Sequence, residues 1–190
     1  MKALVAYGSK LGGTAGLAEM IGRALESEGL QVDVRSAKQP GLVSSYDAVV
    51  VAGGLYANRW HRDARRFVRR NASALRGRPV WLVASGPLDD RARAGDLPPV
   101  KHVVAAAKLV NARGQVTFGG YLAPDAKGFP ASSMAKKNAG DWRDPVHVAE
   151  FAERVAIDLT TVRPTTPPTE VLPGGTTSVP TDNTSTTEAA

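Results

Sequence analysis

Two hydrophobic periods alternate along the first 163 residues. Ala3–Tyr7, Asp47–Ala52 and Val80–Ala84 are short apolar runs that end at glycine or serine, as parallel strands buried on both faces do. Leu30–Arg35 and Val116–Gly120 are weaker runs and supply the remaining strands. Between them the period lengthens to that of a helix. Leu17, Ile21, Ala24 and Leu25 share one face, opposite Glu19, Arg23 and Glu26, and Gly29 stands where a C-cap belongs. Ala64, Phe67, Val68 and Leu75 predict a second helix, and Val100, Val103, Val104 and Ala107 a third, opened by Pro98-Pro99. Val148, Phe151, Ala152, Val155 and Leu159 predict a fourth, with Asp144 as N-cap and Pro145 in the first turn.

The predicted order is β-α-β-β-α-β-α-β-α, with a long loop before the last helix. Such alternation implies an α/β domain with a parallel sheet covered on both faces. Ligands of these sheets bind at the carboxyl ends of the strands, where the winding reverses. The loops after the first, third and fourth predicted strands therefore become the candidate site. After Arg163 the composition turns to Thr, Pro, Ser and Gly. Residues 1–163 are expected to form the domain, and 164–190 a disordered Thr/Pro-rich tail.

Charge and composition narrow the chemistry. The chain has 24 Lys+Arg against 18 Asp+Glu, a net charge of +6, and all of its cations precede residue 164. The body thus favours anionic partners. There is no cysteine, which excludes disulfides, thiol catalysis and zinc–thiolate sites and suits a cytoplasmic protein. Ala3–Tyr7 is too short for a signal-peptide core, and no stretch nears the roughly 18 apolar residues of a membrane span. His61, His102 and His147 have no metal-ligand spacing. Ser85 lacks the Gly-x-Ser-x-Gly elbow of a hydrolase. No helix-turn-helix pattern or aromatic–basic RNA motif accompanies the positive charge, so nucleic acid is set aside.

The first loop reads Tyr7-Gly8-Ser9-Lys10-Leu11-Gly12-Gly13-Thr14 and runs straight into a helix. Small and hydroxylated residues let backbone amides converge on an anion, and the helix N-terminus adds partial positive charge. Gly8 and Gly13 have the spacing of a Walker glycine pair, but Thr14 replaces the lysine and no Gly-x-Gly-x-x-Gly occurs. This weakens the nucleotide-triphosphatase and dinucleotide readings.

The frame Tyr-Gly-Ser-x-x-Gly-x-Thr after a first strand resembles the phosphate loop of flavodoxins. The resemblance implies a flavodoxin-like three-layer sandwich, a five-stranded parallel sheet of order 2-1-3-4-5, and FMN as cofactor. It implies that Ser9, Lys10, Leu11, Gly12, Gly13 and Thr14 wrap the FMN phosphate. The stretch Ala52-Gly53-Gly54-Leu55-Tyr56-Ala57 is similar to the family's second flavin loop. Gly54, Leu55, Tyr56 and Ala57 are then expected at the flavin ring, with Tyr56 stacked on it. Ser85, Gly86, Pro87 and Leu88 take the third contacting position, where Pro87 withdraws one amide donor.

Further runs are Arg59-Trp60-His61-Arg62-Asp63-Ala64-Arg65-Arg66-Phe67, Met134-Ala135-Lys136-Lys137 and Gly140-Asp141-Trp142-Arg143-Asp144. They are similar to bacterial flavodoxin-domain proteins grouped with menaquinone-dependent protoporphyrinogen oxidase. That branch implies an FMN oxidoreductase taking electrons from an acidic small molecule to a quinone, in the cytoplasm or peripherally at the inner membrane surface. The alternatives are a basic flavodoxin carrying electrons to a redox-protein acceptor, and a flavin-free binding or regulatory module. In the stretch 59–70, seven cationic or histidine side chains face a single acid, Asp63. Acidic electron-carrier flavodoxins are the reverse, and the positive charge is expected to make this flavin less reducing.

Overall fold

The computed structural model describes residues 1–89, 91, 97–128 and 131–161. The tail expected from residue 164 lies outside the described residues. The elements are β1 (Lys2–Gly8), α1 (Gly13–Ser27), β2 (Gln31–Ser36), a 3-10 turn at Val43–Ser45, β3 (Ala48–Tyr56), β4 (Arg59–Trp60), α2 (Arg62–Arg70) and α3 (Ala72–Arg76). There follow β5 (Val80–Ser85), α4 (Lys101–Val110), β6 (Gly114–Phe118), β7 (Tyr121–Leu122), α5 (Ala131–Asn138), β8 (Gly140–Asp141) and α6 (Pro145–Thr161).

The main sheet runs β2-β1-β3-β5-β6 with every pair parallel, which is the expected 2-1-3-4-5 order. Strand alternation sorts the core into two layers. Leu4, Val49, Val51, Val80 and Leu82 face α2, α3 and α4, where they meet Phe67, Val68, Leu75 and Val103. Val5, Ala48, Val50, Trp81 and Val83 face α1 and α6, against Leu17, Ile21, Phe151 and Val155. Each buried Val, Leu, Ile or Phe side chain among them contributes about 1.5–3 kcal/mol. Asp144 caps α6 as expected, its Oδ1 accepting from the Val146 amide at 2.9 Å.

Three expectations need correction. The stripe from Ala64 to Leu75 is broken at Asn71, which closes α2 and starts α3, so Leu75 reaches the core from a separate short helix. The fifth strand lies at Gly114–Phe118, two residues before the run Val116–Gly120. There Thr117 and Phe118 are buried, and Gly119-Gly120 lead into the next segment. The Tyr56-Ala57 stretch is not simply a loop. β3 continues to Tyr56 and pairs antiparallel with β4 through Leu55–Trp60 and Tyr56–Arg59. Ala57 and Asn58 form the turn with φ of +48° and +57°, the backbone hand that fits a tight hairpin.

This hairpin buries Trp60 completely and lets its Nε1 donate to the Val83 carbonyl at 3.0 Å. The indole lies flat against Gly53, where any β-carbon would collide with it. Trp60→Phe should therefore destabilise the domain by about 2–4 kcal/mol, combining lost volume with the lost hydrogen bond to Val83. Urea denaturation at constant m-value reads the change as a lower midpoint.

Candidate flavin site

The first loop leaves β1 at Gly8 and enters α1 at Gly13, with Gly12 at φ +83° as its N-cap. No side chain caps α1 and its first turn holds no acid. The amides at its N-terminus are therefore available to a ligand, with the helix dipole behind them. Ser9 turns its hydroxyl inward, where Oγ accepts from the Gly12 amide at 3.1 Å. Thr14 is buried at the head of the helix.

Beside this loop, at the carboxyl edge of β1, β3 and β5, lies a cavity of about 110 Å³. It gathers Lys10, Leu11, Gly13 and Thr14 from the first loop, Leu55 and Tyr56 from β3, and Ser85, Gly86 and Leu88 beyond β5. Nine of the expected residues thus converge on one space. Ser9 and Gly12 stand behind it as loop scaffold. Gly54 supplies clearance rather than lining, since a β-carbon there would come within 2.8 Å of Thr14 Oγ1 and 2.9 Å of the Tyr56 ring. Ala57 is exposed in the hairpin turn, and Pro87 faces a neighbouring cavity.

The remaining wall comes from a segment with weak sequence signals. Gly120, Tyr121, Leu122, Ala131 and Met134 close the cavity from the β7–β8 ribbon and α5. The ribbon pairs Tyr121 with Asp141 and Leu122 with Gly140. The Trp142 amide ties it down by donating to Gly120 O at 3.0 Å. Arg143 holds Asp141 through paired contacts at 2.6 and 2.8 Å, and its guanidinium lies 4.7 Å from the Tyr121 ring centre. It also reaches the Gly13 carbonyl at 3.5 Å. Arg143 therefore fastens this flap to the start of α1. That pairing holds the Asp141 carboxyl below the usual carboxylate range.

Tyr56 is not placed as a free stacking platform. Its hydroxyl accepts from the Lys10 amide at 3.1 Å, occupying one donor of the first loop, while its ring meets His61 edge-on at 5.7 Å. This explains why the cavity is smaller than the roughly 300–1,000 Å³ of common small-molecule sites.

His61 lies half-buried beside Tyr56. Its Nδ1 accepts from the Asp63 amide at 3.2 Å and caps α2. Asp63, the lone acid of the arginine-rich stretch, is turned inward toward Lys38, His61 and Arg62 at 3.7–4.0 Å. Arg62, Arg66, Arg69 and Arg70 remain on the exposed face of α2. Burial pushes His61 below its ordinary value despite Asp63. Burial, then Arg65 and Arg59, do the same to His102. Both imidazoles bind a proton more readily once unfolded, so their stabilising contribution is full above about pH 6.5 and falls as pH drops below it. Urea midpoints should fall from pH 7.5 to 5.5, and the fall should shrink in His61→Gln and again in His61→Gln/His102→Gln.

Among the described residues no group of three or more metal-ligating side chains occurs, and no helix is long and apolar enough to cross a membrane. The family model described as "Flavodoxin domain" matches residues 4–130, from β1 through all three candidate loops. A flavodoxin from the domain Archaea superposes with a TM-score of 0.51 at 17% identity, covering 80% of this chain and 99% of that one. The Streptococcus pneumoniae TIGR4 flavodoxin gives 0.52 at 18%, covering 83% and 99%. Rubredoxin oxygen:oxidoreductase of Desulfovibrio gigas gives 0.57 at 12%, covering 84% of this chain but 36% of that one. At such identities the superpositions speak for the fold, and the family match carries the rest. The chain belongs to the flavodoxin domain family, and its cofactor is FMN.

Proposed function

We propose that this protein is an FMN-dependent electron-transfer protein whose partners dock through its basic face. The observation that carries the reading is the convergence of the uncapped α1 N-terminus with Tyr56, Ser85, Gly86 and Leu88 on one cavity. The donors fit a phosphate monoester: amides at a helix start, no carboxylate among the described residues that line the cavity, and the Thr14 hydroxyl nearby. Ser9 through Thr14 would hold the phosphate, Tyr56 and Leu55 the ring, and the 85–88 turn its polar edge. Bound FMN supplies reversible one- and two-electron chemistry. The protein's part is to bind it, exclude water with the β7–β8 flap, and set the surrounding charge.

The charge is distinctive. With Asp63 turned inward, α2 shows water a face of arginines alone, beginning next to the Tyr56–Arg59 hairpin. Such a face speeds encounter with acidic partners, in a manner that salt suppresses. It also favours a reduced, anionic cofactor. An acidic redox protein is the partner this face suits best.

The flap favours a second, narrower reading. Met134, Trp142 and Arg143, which the resemblance to the quinone-linked branch singled out, fall within or beside this cover. In that reading a reduced porphyrinogen is the donor and a quinone the acceptor. Each pair of electrons withdrawn from the porphyrinogen, with its protons, converts a quinone to its quinol. A cytoplasmic protein resting its basic face on an anionic inner membrane surface suits such an acceptor. Turnover of protoporphyrinogen with menadione as sole acceptor separates the readings, because a carrier needs protein partners at both ends.

Protein incubated with FMN and then desalted should keep its visible flavin bands, and Ser9→Asp/Thr14→Asp should lose them. A colourless wild-type protein with no FMN affinity defeats both readings. Tyr56→Phe tests whether the Tyr56–Lys10 hydrogen bond competes with FMN. Removing the hydroxyl frees the Lys10 amide from a bond of about 0.5–1.5 kcal/mol, so FMN should bind roughly 2–10 times tighter by fluorescence titration. Weaker binding would mean that the hydroxyl serves the flavin directly.

A further inference from the structure

A second cavity, of about 620 Å³, adjoins the flavin site. Leu55 lines both, and the 85–88 turn divides them, with Gly86 facing the flavin side and Pro87 the other. Leu55, Pro87 and Val100 give this second cavity an apolar wall, while Arg59 and Lys101 give it a cationic one, with His102 beside them. Arg91 also lines it but is paired with Asp89 at 2.7 Å. Arg59 and Lys101 have no ion-pair partner among the described residues.

Three features point this cationic wall at a ligand. β4 holds Arg59 at the mouth, fixed by the positive-φ turn at Ala57-Asn58 and by the buried anchor Trp60. α4 begins inside the cavity without a side-chain cap, because its N-cap is Val100. The amides of Lys101 and His102 therefore add to the cationic side chains. Finally, His102 Nδ1 and Arg65 Nε are buried with no hydrogen-bond partner, and both residues line an adjoining recess of about 180 Å³. Unpaired buried polar atoms are uncommon in native folds and invite a ligand or water.

We infer that this cavity is a binding site for an organic carboxylate with an apolar body, held by Arg59 and Lys101 beside the flavin. The carboxylate meets the two cations and the start of α4, while the apolar part lies along Leu55, Pro87 and Val100. A molecule so placed is separated from the flavin cavity by Leu55 and the 85–88 turn. The site therefore suits a small-molecule donor or acceptor better than a remote regulator. That purpose rests on the flavin reading, but the binding itself does not.

The test is calorimetric titration with 2-naphthoate, using its neutral amide, 2-naphthamide, as control. Each is run on FMN-loaded and FMN-free protein, with loading read separately from flavin absorbance, so loss of flavin and loss of this site are distinguishable. Saturable one-to-one binding of naphthoate is expected, at least about tenfold tighter than naphthamide. Arg59→Gln/Lys101→Gln should weaken it about tenfold or more. Arg66→Gln/Arg70→Gln removes the same charge from the outer face of α2 and should leave it within about twofold. Equal affinity for acid and amide, equal losses in the two double variants, or no saturable binding at millimolar naphthoate would overturn the proposal.

Discussion

The site depends on the way β3 ends. Gly53 and Gly54 leave both faces of the central strand bare at its carboxyl edge, and each face accepts a close neighbour. On one face the Trp60 indole lies on Gly53 and bonds to the Val83 carbonyl. The adjacent Gly8 of β1 gives the same clearance to His61 and the start of α2. On the other face Gly54 admits Thr14 and the Tyr56 ring. Without that clearance α1 could not bring its N-terminus over the sheet edge, and the 56–59 hairpin could not fold back. The cavity, the hairpin and the seating of the basic helix all use the space of three missing β-carbons, at Gly8, Gly53 and Gly54.

The parallel core was legible because its signal is simple. Buried strands such as Ala48–Ala52 are continuous apolar runs, and amphipathic helices repeat on a different period. The first loop was legible for a related reason: strand, glycines, hydroxyls and helix follow without interruption. The hairpin was not. Its turn is Ala57-Asn58, with both residues at positive φ but no glycine to announce it, and β4 is two residues long. The stripe through Leu75 was misplaced because nothing apolar marks Asn71 as a break. The flap was missed as cavity wall because β7 and β8 have two residues each. Its fold is held by long-range pairs, Trp142 to Gly120 and Arg143 to Gly13, which no local pattern reveals. Met134 and Trp142 were visible as part of a resemblance, but their place over the cavity was not.

Tyr56 lines the cavity and also closes on the first loop. An aromatic after the central strand was expected to lie against the flavin. Its hydroxyl instead satisfies the Lys10 amide. A loop built to bind an anion carries converging donors, and a nearby phenol oxygen is a ready neutral acceptor. The bond is modest in water-exposed surroundings, so it competes with a phosphate without blocking it.

The charge pattern follows from the same geometry. His61 caps α2 through its Nδ1, which draws Asp63 into the first turn and inward, and this removes the single acid from the arginine face. Trp60 fixes β4, which sends Arg59 away from α2 and toward the second cavity. The cations that looked like one run in the sequence are therefore split between an outer face on α2 and a wall near Leu55. The two groups suit different anions. The outer face is broad, exposed and free of apolar surface, fitting an acidic macromolecule. The wall is concave and backed by Leu55, Pro87 and Val100, fitting a small acid with a carbon body.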